Sequence, residues 1–142
     1  MLHEVVVEID AAPDAVWPVV ADVERWHEWT ESITSIEVLD GGGPIRLGSR
    51  AKVRQPKVPP VVWQVTDFQP GRSFTWVSKS VGLRSTAYHE ISPRGDGGSV
   101  VRLAVDQQGP LEFVARLFTG ITKKYLAMEA AGLKQRCQTP VR

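Results

Sequence analysis

The stretch from Asp22 to Pro56, DVERWHEWTESITSIEVLDGGGPIRLGSRAKVRQP, decides the fold. It opens with a short helical unit carrying two tryptophans, Trp26 and Trp29, and runs into strand-like segments broken by a glycine-rich turn. Much later the chain closes with about twenty-eight residues of amphipathic pattern from Pro110 onward. Short strands closed by one long helix predict a curved antiparallel sheet around that helix, with a hollow between the two layers.

Upstream, Leu2 to Ile9 alternates, with Val5, Val7 and Ile9 on one side and Glu4, Val6 and Glu8 on the other, as in a half-buried strand. Pro13 and Asp14 then open a helix, because proline suits a first turn and an acid there complements the dipole. Ala15, Val16, Val19 and Val20 give it an apolar face, and Pro18 cuts it short or kinks it. Asp22 is placed to cap a second short helix through Trp29.

Downstream, strand runs alternate with turn signals. Ile33 to Leu39 stops at Gly41-Gly42-Gly43-Pro44, Gly48 to Gln55 at the Pro56 to Pro60 loop, and Val61 to Phe68 at Pro70-Gly71. Phe74 to Ser80 ends near Gly82, Arg84 to Ile91 at Gly95-Asp96-Gly97-Gly98, and Ser99 to Gln107 is the last strand. Gaps this short join antiparallel neighbours, since a parallel return needs a crossover of about a dozen residues or more. In the final helix Leu111, Val114, Phe118, Ile121, Tyr125 and Met128 recur at three–four spacing on one stripe. Arg116, Lys123, Lys124, Glu129 and Lys134 fall mostly off it. Gly120 inside this helix costs about 1 kcal/mol relative to alanine, which either packing and pocket shape or a plain kink would explain.

Composition sets the limits. The 142 residues make a single domain, 1–142, long enough to bury a core without staples. A net charge of +1 offers no field for nucleic acid or an anionic membrane surface, and no apolar run approaches a membrane span. Cys137 is the only cysteine and the start has no signal-peptide layout, so a cytoplasmic protein is expected. His3, His27 and His89 lie on separate elements, which predicts no metal site, and no dinucleotide or P-loop motif implies a cofactor. The Gly41–Pro44 run opens no helix and reads as a turn, not a phosphate cradle. Arg50, Lys52 and Arg54 alternate onto the outer, solvated face of their strand.

The order β-αα-β6-α, together with W-x2-W, a glycine-rich turn, GSR, RQP, a W-x-V strand, PGRSFTW and HEI, resembles the START-like (SRPBCC) superfamily. More narrowly it resembles the polyketide cyclase/dehydrase branch, from Glu8 to about Arg136. The resemblance implies an α+β helix-grip fold: a seven-stranded curved antiparallel sheet around a long C-terminal helix, with two short helices after the first strand. It also implies a cavity between sheet and helix. It says little of activity, since the branch holds cyclases, carriers and co-chaperone-like domains.

Strand parity names the residues that face such a cavity, because alternate side chains point to opposite faces. Val101, Leu103 and Val105 face inward on the last strand, Phe74, Trp76 and Ser78 on the fifth, Val61, Trp63 and Val65 on the fourth, and Ala51, Val53 and Gln55 on the third. The sparse inward polar groups are Gln55, Ser78, Gln107 and His89. His89 is the acid–base candidate, since its unperturbed pKa lies near neutrality, or else a buried histidine satisfied by a backbone carbonyl. Tyr88 and Glu90 face outward unless a bulge shifts the strand. Trp26 is expected to anchor the helix pair, and Trp29 either anchors or forms the pocket rim. The candidate ligand-binding residues are Trp29, Gln55, Trp63, Phe74, Trp76, Ser78, Leu103, Phe118 and Ile121, with His89 as the candidate catalytic residue.

Two functional classes fit these residues. One is a binding domain that encloses a hydrophobic or aromatic, lipid- or polyketide-like small molecule. The other is a polyketide cyclase or dehydratase, with His89 transferring protons and Gln55 or Ser78 polarising a carbonyl. A third, a co-chaperone-like interaction module, requires an exposed apolar patch. The sequence leaves the ligand, the oligomeric state and the question of catalysis open.

Overall fold

A computed structural model describes residues 1–138. The elements are β1 (Leu2–Ile9), α1 (Pro13–Ala21), a 3-10 turn (Val23–Glu28), β2 (Ser35–Val38), β3 (Arg50–Arg54), β4 (Val61–Gln69), β5 (Ser73–Ser80), β6 (Leu83–Pro93) and β7 (Ser99–Gln108). Then follow α2 (Glu112–Ala115), a second 3-10 turn (Arg116–Phe118) and α3 (Thr119–Gln138). The seven strands form one antiparallel sheet in the order β1-β7-β6-β5-β4-β3-β2. This is the expected helix-grip arrangement, with β1 crossing to the far edge to pair with β7.

Register aligns the inward faces into rows. Phe74, His89, Leu103 and Val5 form one cross-strand row, and Val65, Trp76, Ala87, Val105 and His3 form the next. Residues directly opposite one another share a face, so each row packs as a unit. A bulge in β4 between Val65 and Asp67 restores the pairing of Phe68 with Phe74.

The short elements differ from expectation in two ways. The unit holding Trp26 and Trp29 is a 3-10 turn, and the Asp22 side chain makes no capping hydrogen bond. Glu24 instead anchors that turn, accepting from the Val38 and Gly43 backbone N–H groups at 3.1 Å each. That carboxylate already occupies one donor of the glycine-rich turn. The C-terminal segment, expected as a continuous rod from Pro110, is interrupted at Arg116–Phe118. The 3-10 stretch has about three residues per turn and tightens the segment locally. Leu126, Ala130 and Leu133 are the residues α3 buries; Met128, expected on the stripe, is not among them.

Candidate functional site

The helical unit after β1 fills one end of the concave face. Val16, Val20 and Val23 are sealed there with Ile9, Phe74, Val101 and Leu133. The other end is left to α2, the second 3-10 turn and the first half of α3. Val114, Phe118, Ile121 and Tyr125 from these elements surround a cavity of about 280 Å³. Phe118 and Val114 on one side and Pro59 on the other both line it and reach the surface, which marks its mouth.

The sheet contributes Val53, Val61, Trp63, Trp76, Ala87, His89, Leu103, Val105 and Gln107 to the lining, and the loop after β3 adds Gln55. The rings of Trp63 and Trp76 stack at 5.9 Å with a 27° tilt and give the wall a broad flat surface. Trp26 closes the inner end; its Nε1 donates to the Val20 carbonyl at 3.1 Å, and its ring lies 5.7 Å from Trp76 and 5.5 Å from His89. It is thus both an anchor and a wall. The Tyr125 hydroxyl donates to the Pro56 carbonyl and ties the β3–β4 loop to α3.

Among the residues singled out from the sequence, Gln55, Trp63, Trp76, His89, Leu103, Phe118 and Ile121 line the cavity, whereas Trp29, Phe74 and Ser78 do not. Phe74 points to the concave face but is 0% exposed, covered by the Trp26 ring at 6.3 Å. Parity gives the face of a strand and not what is laid over it. Trp29 ends the first 3-10 turn and packs against Gly132 of α3, beyond the cavity. Ser78 lies level with Ser85, one inward position nearer the β5–β6 hairpin than Trp76, and remains off the wall.

His89 donates from Nδ1 to the Phe74 carbonyl at 3.2 Å and stacks on the Phe74 ring at 4.1 Å, which fixes the tautomer and leaves Nε2 as the acceptor. Burial pushes its pKa down to about 4, against a smaller upward effect of the Phe74 carbonyl. Gln107 reaches Ser85 Oγ through Nε2 at 3.5 Å, and its Oε1 is buried without a partner.

Glu129 is the cavity residue that sequence reasoning placed off the functional stripe. It stands four residues after Tyr125 and eight after Ile121, so the three share a ridge of α3 that faces the hollow. It is half-buried by area and lines the cavity, and burial pushes its pKa up to about 8. It makes no hydrogen bond or ion pair among the described residues, and no lysine or arginine lines the cavity. The signal was present as the 121–125–129 spacing, but a charge inside an otherwise mixed helix reads as solvated.

Beside the mouth lies an apolar lip. Val81 (93% exposed) and Leu117 (81%) stand there with Phe113, and the Val81–Gly82 turn abuts Leu111, whose N–H bonds the Gly82 carbonyl at 2.8 Å. No helix among the described residues is long and apolar enough to cross a membrane.

A family profile described as polyketide cyclase / dehydrase and lipid transport matches residues 3–138. No curated protein matches the chain. Among solved structures, a Mesorhizobium loti protein aligns with a TM-score of 0.77 at 16% identity, over 99% of this chain and 100% of its own. A Thermobifida fusca protein aligns at 0.76 and 18%, over 96% and 92%. One from Thermus thermophilus aligns at 0.75 and 17%, over 96% and 97%. At these identities the likeness is one of fold.

Proposed function

Because the chain belongs to the polyketide cyclase / dehydrase and lipid transport family, we propose that it binds a hydrophobic or aromatic small molecule in the cavity between sheet and α3. The observation that carries this reading is the stacked Trp63–Trp76 wall inside a hollow with an open mouth. A cavity of this size lined mostly by apolar and aromatic side chains, with few polar groups, has the features of small-molecule sites. Trp63 and Trp76 supply stacking surface, while Gln55, Gln107, His89 and Glu129 select among ligands.

A cyclase or dehydratase in the same cavity ranks second. A histidine held neutral down to about pH 4 carries no proton to give at neutral pH, and it is a weak base. The exposed lip is the patch that an interaction module requires. It adjoins the mouth, however, with Phe113 and Leu117 next in the chain to Val114 and Phe118, so ligand passage accounts for lip and hollow together.

Titration with N-phenyl-1-naphthylamine, which brightens in apolar surroundings, tests the binding reading. Saturable, roughly one-to-one binding is expected, weakened several-fold (about three- to tenfold) in Trp63→Ala with the fold retained by circular dichroism. No saturable response to this probe or to a panel of fatty-acyl and polyaromatic compounds overturns the reading.

A further inference from the structure

We propose, building on that binding reading, that the cavity selects a hydrophobic amine, whose ammonium group pairs with Glu129 while its apolar body lies against Trp63 and Trp76.

Three observations converge. First, Glu129 stands on the cavity wall with no hydrogen-bond or ion-pair partner among the described residues. A half-buried acid in a largely apolar cavity carries a desolvation cost when ionised, and a ligand that brings the missing charge or donor offsets it. The neighbouring groups do not. Tyr125, one turn earlier, has its hydroxyl engaged by the Pro56 carbonyl. His89 on β6 is neutral and gives its one N–H to Phe74. Tyr88 on β6 packs beneath the guanidinium of Arg102, 5.7 Å from its ring. β3, β4, β5, β7 and the first 3-10 turn line the cavity with amide, aromatic and aliphatic side chains only. His3 on β1, which also packs against α3, is buried and does not line the cavity.

Second, the lining has no arginine or lysine. A carboxylate or phosphate ligand buried here would lack a countercharge. Fatty acids and acyl phosphates are therefore poor candidates. Third, Trp26, Trp63, Trp76 and Tyr125 bring aromatic rings to the same small space, and the faces of such rings attract organic cations.

A neutral hydrogen-bond acceptor, such as a ketone, is the competing occupant. Against it, a glutamine at position 129 would donate a hydrogen bond to a ketone equally well. The carboxyl differs from the amide in being able to take a negative charge, and only a cationic ligand makes use of that difference. In the empty cavity burial keeps the group protonated to about pH 8; an incoming ammonium favours the ionised form, and the carboxyl proton leaves to solvent.

A matched series separates the outcomes: 2-(1-naphthyl)ethylamine, 2-(1-naphthyl)ethanol and 1-naphthylacetic acid, titrated by calorimetry at pH 7 into the full chain. The amine is expected to bind at least about tenfold tighter than the alcohol, with the acid weakest. In Glu129→Gln, and in Glu129→Leu as a second variant, the amine-to-alcohol ratio should fall to about one. An alcohol that binds as tightly as the amine to the wild-type protein overturns the proposal and leaves the binding reading standing. So does an amine preference that persists in both variants. If none of the three binds, the proposal falls, and the titration with N-phenyl-1-naphthylamine and the wider panel decides whether the binding reading falls with it.

Discussion

At the closed end of the interior Trp26 lies over Phe74 and His89, and Phe74 has no exposed surface. At the open end Trp63 and Phe118 stand on the walls of a hollow of about 280 Å³. Both ends rest on one sheet, with the same alternation of apolar residues facing inward. What differs is the cover. The closed end is covered by α1 and its following 3-10 turn as well as by the second half of α3, whereas the open end has only α2, a 3-10 turn and the first half of α3. The hollow is therefore a property of the covering segments, and the chemistry it holds depends on which side chains α3 turns toward it.

The sharpest way to break that comparison is to truncate one aromatic at each end. Phe74→Ala removes a ring that touches His89, Trp76 and Trp26 in a sealed space, and should cost about 3–5 kcal/mol. Phe118→Ala removes a rim side chain that is already half exposed, and should cost less than about 1 kcal/mol. Urea midpoints measure both. Similar losses at the two sites would mean that the open end is packed shut in solution.

Titration sharpens the comparison further, because the two ends carry opposite slopes. His89 has a pKa near 4 in the fold against an ordinary value of 6.5, so the unfolded chain binds more protons between those values. Stability from this group is complete above about pH 6.5 and falls as pH drops toward 4. Glu129 runs the other way: its folded pKa near 8 exceeds the ordinary 4.5, so the folded chain holds the extra proton. Stability from it is highest below about pH 4.5, falls as pH rises to 8, and is flat beyond. Between pH 4.5 and 6.5 the slopes oppose; from 6.5 to 8 Glu129 acts without His89. Glu129→Gln should therefore gain on the wild type by about 2–3 kcal/mol as pH rises toward 8, a figure reduced for the partial exposure to the cavity. His89→Asn, which keeps a donor for the Phe74 carbonyl, should lose the decline below pH 6.5, about 3 kcal/mol in full. Parallel pH–stability profiles for wild type and Glu129→Gln from 6.5 to 8 would show that the carboxyl meets solvent freely.

Most of the fold was legible because strand alternation and glycine–proline punctuation are local signals. The inward facing of Trp63, Trp76, His89 and Leu103 followed from parity alone. Phe74 lies off the wall because covering is not local: the 3-10 turn that lays Trp26 over Phe74 is docked through Glu24 onto β2 and the glycine-rich turn. Glu129 was missed for a related reason. The three–four stripe holds through Phe118, Ile121 and Tyr125, but it was continued to Met128, whereas the residue that faces the cavity one turn after Tyr125 is Glu129. A charged residue on a helix reads as solvated until the hollow it faces is known.

Two glycines of α3 give the finest contrast between the ends. Gly120, at the open end, attracted notice as a costly residue inside a helix, yet a Cβ there would meet nothing within 4 Å. Gly132, at the closed end, is the one with a structural reason: a Cβ there would overlap the Trp29 carbonyl oxygen and press on its ring. The backbone oxygen of Trp29 belongs to the end of the first 3-10 turn, so relief would require that turn to move off α3. Gly132→Ala should accordingly destabilise by roughly 1–3 kcal/mol, as overpacking does, despite alanine's better helix propensity. Gly120→Ala, near the start of α3, should stabilise by roughly 0.5 kcal/mol through propensity and the stiffer unfolded chain. Thermal melts of the two single variants decide the matter by sign. A stabilising Gly132→Ala would mean that Trp29 is not held against α3, and the sealed end would then owe its closure to Trp26 and α1 alone.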